Sequence, residues 1–289
     1  MTSDQEFDSE IDEGKEMTFL EHLEELRWHI IRALGSIVVF AILAWVYREW
    51  IYGSIILGPS KPEFWTYRML CKLGDAIGAE GLCVDSINFK LQNIEVGGQF
   101  RMALMTAGIV GLLFAFPYAF WEIWRFIKPG LKYSERKAAR GAVFFVTVLF
   151  FSGVMFGYYV VTPLVINFLA NFTLDESIVN EFNIKSYIST IATLTLACGV
   201  AFQLPIVVFV LSKVGLITPK FMREYRRHSV IVILIIAAII TPSPDIFSQV
   251  IVALPLFVLY EVGIFISATI ERQRKDEETA LQRRLEMDD

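Results

Sequence analysis

Histidine and cysteine are both scarce in this 289-residue chain, with three of each. His22, His29 and His228 show no metal-binding spacing, and no CxxC or cysteine–histidine cluster occurs, so no metal site is expected. GxSxG, Walker and HExxH motifs are also missing. No serine–histidine pair, aspartate pair or zinc motif lies within an apolar stretch, which excludes the intramembrane proteases. The chain is therefore not expected to be an enzyme or to need a cofactor. Its basic residues are dispersed among connecting segments, so nothing points to nucleic acid. The amino terminus is acidic and polar, unlike a signal peptide, so the first apolar segment is expected to stay as an anchor.

Charge itself is missing over long stretches. Residues Met102–Trp121, Gly141–Leu174 and Ser186–Ser212 contain no acidic or basic side chain. With 55% hydrophobic residues and a mean hydropathy of +0.51, the chain carries more apolar material than a soluble domain of this size. A helix needs about 20 apolar residues to cross the hydrocarbon core. The chain is thus expected to be all-α and polytopic, with six transmembrane helices.

Residues 1–17 read as a disordered, charged cytoplasmic tail. A membrane domain over 18–270 follows, and a charged cytoplasmic tail over 271–289. Thr18 and Glu21 fit a capping box, and Leu20, Leu23, Leu26, Ile30 and Leu34 make an apolar stripe leading into the bilayer. The six spans are placed at about Trp28–Tyr47, Met102–Phe126, Ala139–Val161, Tyr187–Leu211, Ser229–Thr241 and Phe247–Ile266. Pro163 is expected to end the third, and Pro205 lies inside the fourth. An extracytoplasmic loop, 48–100, separates the first two. The fifth and sixth look short. Thirteen residues rise only about 20 Å against a core of about 30 Å, and Glu261 limits the uncharged part of the sixth.

Orientation follows from basic residues in the short loops. Lys128, Lys132, Arg136, Lys137 and Arg140 lie between the second and third spans, and Lys213, Lys220, Arg223, Arg226 and Arg227 between the fourth and fifth. The tail adds Arg272, Arg274, Lys275, Arg283 and Arg284. All three clusters share one side if both termini are cytoplasmic. The loop holding Cys71 and Cys83 then lies on the oxidising side. These two are either a disulfide or two free buried thiols, and the compartment favours the disulfide.

Polar residues at membrane depth default to function. Glu25 shares a helix face with His22 (i, i+3) and His29 (i, i+4) at the mouth of the first span. Glu135 follows Phe126-Ile-Lys-Pro129 in the loop after the second. Two carboxylates on one surface can fork onto two guanidinium groups. Spacing alone favours the plainer reading, in which Glu25 and Glu135 pair with Arg27, Arg136 and Lys137 as solvated charges. Gln203 is expected to make a helix–helix hydrogen bond. Glu122 and Arg125 read as a structural pair, Asp245 as a cap beside Gln249, and Glu261 as interfacial.

Four motifs together resemble the TatC family, the multispanning subunit of the twin-arginine protein translocase. They are Phe19-Leu-Glu-His22-Leu-Glu-Glu25-Leu-Arg27; Trp124-Arg-Phe126-Ile-Lys-Pro129-Gly-Leu through Glu135-Arg136; Gly199-Val-Ala-Phe202-Gln203-Leu-Pro205; and Thr241-Pro-Ser-Pro-Asp245-Ile-Phe-Ser-Gln249 with Leu254-Pro255 and Tyr260-Glu261-Val-Gly263. The similarity spans about residues 17–270. It implies a receptor in the bacterial inner membrane that binds twin-arginine signal peptides at its cytoplasmic face. It also implies an oligomeric complex that exports folded proteins with the proton-motive force. The matching positions for the two arginine-reading glutamates are Glu25 and Glu135, which reverses the plainer reading of that pair. His22, Arg27 and Phe126 fall on the same surface, and Pro59 resembles a functional loop proline. Single-span subunits of the TatA and TatB type are expected along the fifth and sixth helices and near Gln203, with Asp245, Gln249 and Glu261 as polar positions there.

The chain departs from the family at His29, where a second arginine is common, and at Gln203, where glutamate is common. Its first loop is longer than usual, and the cysteine pair is an addition. The rival reading, a small-solute secondary transporter, calls for an internal repeat and charged or broken midplane helices. Neither is found.

Overall fold

The computed structural model describes residues 19–78, 83, 89–127, 141–175, 180–241 and 246–288. Nearly all of this is helical. α1 (Phe19–Val46) runs without a break from the expected interfacial stripe through the first span. Short helical turns carry the chain over residues 48–60 into the amphipathic α2 (Trp65–Ile77). β1 (Lys90–Gln92) leads into α3 (Gly98–Ile127), which passes through Pro117. The next span is α4 (Ala142–Phe156), a widened π turn over 157–161, and α5 (Thr162–Asn171). β2 (Glu181–Asn183) precedes α6 (Ile184–Ala201) and α7 (Leu204–Lys213). α8 (Pro219–Glu224), α9 (Arg226–Ile240) and α10 (Ile246–Asp288) complete the chain.

Five helical stretches are long and apolar enough to cross a bilayer: Glu24–Val46, Gly98–Phe126, Val143–Asn171, Ile184–Lys213 and Ser248–Met287. α9, with 15 residues, falls short of them, in line with the short fifth helix expected. Exposure is inverted relative to a soluble protein. Ile31, Leu34, Val38, Ile42 and Val46 of α1 face outward, as do Ile231, Ile235 and Ile239 of α9. Lipid is the environment in which such faces are stable, and the chain is a multi-pass membrane protein.

Three sequence expectations are corrected. The third span does not stop before Pro163. Pro163 sits in the first turn of α5, and the Gly157 carbonyl accepts both the Thr162 N–H across the wide turn and the Thr162 hydroxyl (2.8 Å). The fourth span breaks at Phe202–Gln203, because Pro205 cannot bond back to Ala201. The sixth helix does not end near Ile266: α10 continues for 43 residues through the stretch expected as a charged tail, since no glycine or proline follows Gly263 and Lys275–Glu271 and Arg274–Glu278 pairs support its last part.

The helices pack closely where side chains are small. A Cβ on Gly111 would lie 2.7 Å from the Ala41 backbone, and one on Gly153 2.6 Å from the Cys198 carbonyl. One apolar core joins α5, α6, α9 and α10 through Val165, Leu194, Ile233, Ala237, Val252 and Leu256. A second, around Ile51, Met102, Ile166, Tyr187 and Ile188, seals the end that bears the strands. There β1 and β2 pair in parallel, Leu91 opposite Phe182. The sequence offered no sign of this pairing, because three-residue strands carry too little alternation to read. The start of α1, the ends of α3 and α7, and the later part of α10 lie at the opposite end.

Candidate functional site at the mouth of the first helix

α1 and α3 run antiparallel, so the first turns of one meet the last turns of the other. Phe40 stacks on Phe114 (6.4 Å) near the middle of the seam. At its end, His29 Nδ1 lies 2.5 Å from Glu122 Oε2. Both are buried, Glu122 at 1% exposure. The Tyr118 hydroxyl donates to Glu122 Oε1 (2.9 Å), and Arg32 approaches Oε2 at 3.9 Å. A carboxylate this deep is stable only when paired and hydrogen-bonded, and these three groups do both.

His29 extends this network to Glu25. Its Nε2 is 3.9 Å from Glu25 Oε1, one helical turn away. Glu25 Oε2 is buried and has no hydrogen-bond partner among the described residues. The Phe126 ring lies 6.1 Å from the imidazole, tilted by 59°. Arg27 does not neutralise Glu25. It turns to Glu24 (3.6 Å) and lies over Trp28 (5.5 Å). The local Glu25–Arg27 pair expected from spacing is absent.

The structure therefore brings Glu25 and Phe126 together around His29 and leaves Arg27 on the outer side of α1. Glu135, Asp245 and the His22 side chain lie outside the described residues. Glu122 does not pair with Arg125, which lies over Trp121 instead (5.6 Å). Sequence reasoning missed the Glu122–His29 pair. The available signal was a carboxylate between two tryptophans in an apolar segment, which demands a partner. That partner is 93 residues away.

The remaining polar candidates make contacts within the chain. Gln203, at the helix break, donates from Nε2 to the Val146 carbonyl (3.2 Å), tying α7 to α4. Gln249 donates to the Leu234 carbonyl (3.0 Å). Glu261 accepts from Arg226 (2.5 Å), and its Oε1 is buried without a hydrogen-bond partner among the described residues. The last two join α9 to α10. An apolar groove of about 490 Å³ opens between α7 and α10, lined by Trp124, Pro205, Phe209, Val262 and Phe265. At the far end, Cys71 and Cys83 form a disulfide. Asp75 lies close to both sulfurs, but their bond to each other leaves no thiolate pair for a metal.

A family model described as Sec-independent protein translocase protein (TatC) matches residues 21–255. The chain belongs to the TatC family. Among TatC relatives, the Sec-independent protein translocase protein TatC of Blattabacterium sp. subsp. Periplaneta americana is 38% identical over 264 residues, 91% of this chain and 99% of the relative. That of Carboxydothermus hydrogenoformans is 34% identical over 259 residues, 90% and 96%. Two crystal structures described as the twin arginine translocase receptor TatC, the second in DDM, superpose with TM-scores of 0.62 and 0.64 at 26% and 27% identity. They cover 87% and 86% of this chain and 100% and 99% of theirs. Membership of TatC sets aside the small-solute transporter reading.

Proposed function

We propose that this chain is the receptor subunit of a twin-arginine translocase. It binds twin-arginine signal peptides at its cytoplasmic face and nucleates the complex that exports folded proteins with the proton-motive force. Its membrane domain, residues 18–270, crosses the bacterial inner membrane six times with both termini cytoplasmic. The basic clusters between the second and third spans, between the fourth and fifth, and in the tail support that orientation. TatA-type and TatB-type single-span subunits are its partners, and the apolar groove between α7 and α10 supports a place for one.

The observation that supports the reading is the buried Oε2 of Glu25, which has no hydrogen-bond partner among the described residues, while Arg27 turns to Glu24 and the Phe126 ring lies near the same His29. A carboxylate in that state attracts a guanidinium, which can fork onto both oxygens as an ammonium cannot. Glu135, in the loop that follows α3, supplies the second carboxylate. The test is equilibrium binding of a twin-arginine peptide and its paired-lysine variant to the chain in detergent. Each charge-assisted contact is worth about 1.5–3 kcal/mol, so Glu25→Gln and Glu135→Gln should each weaken arginine-peptide binding about 10- to 100-fold. Neither should change binding of the lysine peptide as much. Unchanged binding in both variants would remove the site.

A further inference from the structure

The two membrane boundaries are marked by exposed aromatics. Trp28 and Trp121 sit at the Glu25 end, and Tyr47 and Trp50 at the other. On α1, Trp28 and Tyr47 are separated by a rise of about 28 Å, close to the hydrocarbon thickness. On the third span, the Tyr158 hydroxyl donates to the Ile55 carbonyl (2.7 Å), just past Tyr47 and Trp50, so Tyr159 lies at the far boundary. The helix then continues to Asn171, well beyond it.

α2 is fixed at the Tyr159 level. The Thr66 hydroxyl donates to the Tyr159 carbonyl. The Tyr67 hydroxyl reaches the carbonyls of Pro163 (2.9 Å) and Pro59 (3.1 Å). Trp65 sets its ring edge-on to Tyr159 (6.0 Å). The first loop thus folds back to the bilayer edge while α5 projects past it.

Seen down its axis, α2 has three faces. Thr66, Tyr67 and Gly74 are buried against the bundle. Trp65, Met69 and Leu73, four residues apart, form an exposed apolar stripe. Arg68 and Lys72 lie on the adjoining exposed flank, with Asp75 beyond them. An apolar stripe at the depth of an aromatic belt, edged by two cations, matches the acyl–headgroup boundary on both counts.

We propose that α2 is an interfacial membrane helix. Trp65, Met69 and Leu73 enter the leaflet remote from Glu25, and Arg68 and Lys72 hold the phosphates of anionic phospholipid there. Hydrogen bonds from Thr66 and Tyr67 hold the helix at this depth. The inference is independent of the signal-peptide reading.

The test uses the full chain reconstituted in phosphatidylethanolamine–phosphatidylglycerol vesicles whose acyl chains are brominated near the headgroup. The difference in tryptophan emission between wild type and Trp65→Phe isolates Trp65. Phenylalanine keeps a ring against Tyr159, and an unchanged melting temperature verifies the fold. Expected is loss of most of the difference emission to bromolipid, with shielding from aqueous acrylamide. An Arg68→Gln/Lys72→Gln double variant should lose the preference for brominated phosphatidylglycerol over brominated phosphatidylethanolamine. Quenching by acrylamide without quenching by bromolipid would overturn the proposal by placing the stripe in water. Shielding from both quenchers would overturn it by placing the stripe against a second copy of the chain. Retained phosphatidylglycerol preference in the double variant would overturn the role of the two cations.

Discussion

Replacing Glu122 by alanine should destabilise the α1–α3 seam more than any exposed charge change in the protein. The substitution removes the acceptor for His29 Nδ1–H and for the Tyr118 hydroxyl, and the carboxylate nearest Arg32. His29 would be left buried, at 5% exposure, with Glu25 at 3.9 Å as its remaining carboxylate among the described residues. Breaking a buried charged pair from one side is worth about 3–5 kcal/mol. Unfolding entropy of about 2.1 cal/mol/K per residue gives about 0.6 kcal/mol/K for a chain this long, so the midpoint should fall by about 5–8 °C. Glu122→Gln should recover at least half of that, because its amide satisfies an imidazole and a hydroxyl that can each reverse roles. The chain supplies its own reporter. Cys198 is free and buried, so a thiol-reactive fluorophore labels it only on unfolding. A midpoint for Glu122→Ala within about 1 °C of wild type, or equal losses for alanine and glutamine, would refute the assignment of stability to these hydrogen bonds.

Two further outcomes follow from packing and cross-linking. Gly111→Ala should push α1 from α3, because its Cβ would meet the Ala41 backbone at 2.7 Å; a loss of about 1–3 kcal/mol is expected in the same thiol-labelling melt. Reducing Cys71–Cys83, which closes a loop of sequence separation 12, should cost about 3 kcal/mol of local stability. Faster hydrogen exchange over 61–78, with an unchanged midpoint of thermal unfolding followed by tryptophan emission, would confirm that the effect stays local.

The membrane class, the placement of most spans and the resemblance to TatC were legible because each rests on local properties. Uncharged run length, basic clusters and short motifs such as His22-Leu-Glu-Glu25-Leu-Arg27 need no knowledge of neighbours. Helix ends at prolines were less legible. Pro163 and Pro205 look alike in sequence, yet one begins a new helical segment after a π turn and the other follows a two-residue break. The length of α10 was misread because the charges after Ile266 were read as a tail, whereas Lys275–Glu271 and Arg274–Glu278 pairs carry the helix through them.

What the sequence by itself determined is therefore the kind of protein: a helical membrane chain of the TatC family whose first helix opens on Glu25. What only the tertiary structure decided is the state of that residue. Arg27, two positions away, turns to Glu24, while His29 is anchored by Glu122 from 93 residues distant. Hydrophobic periodicity fixes where a helix lies, but the partner of a buried charge depends on which helices meet. The same holds at the far end, where β1 pairs with β2 and α2 is held at the depth of Tyr159. Those contacts join segments that only packing brings together.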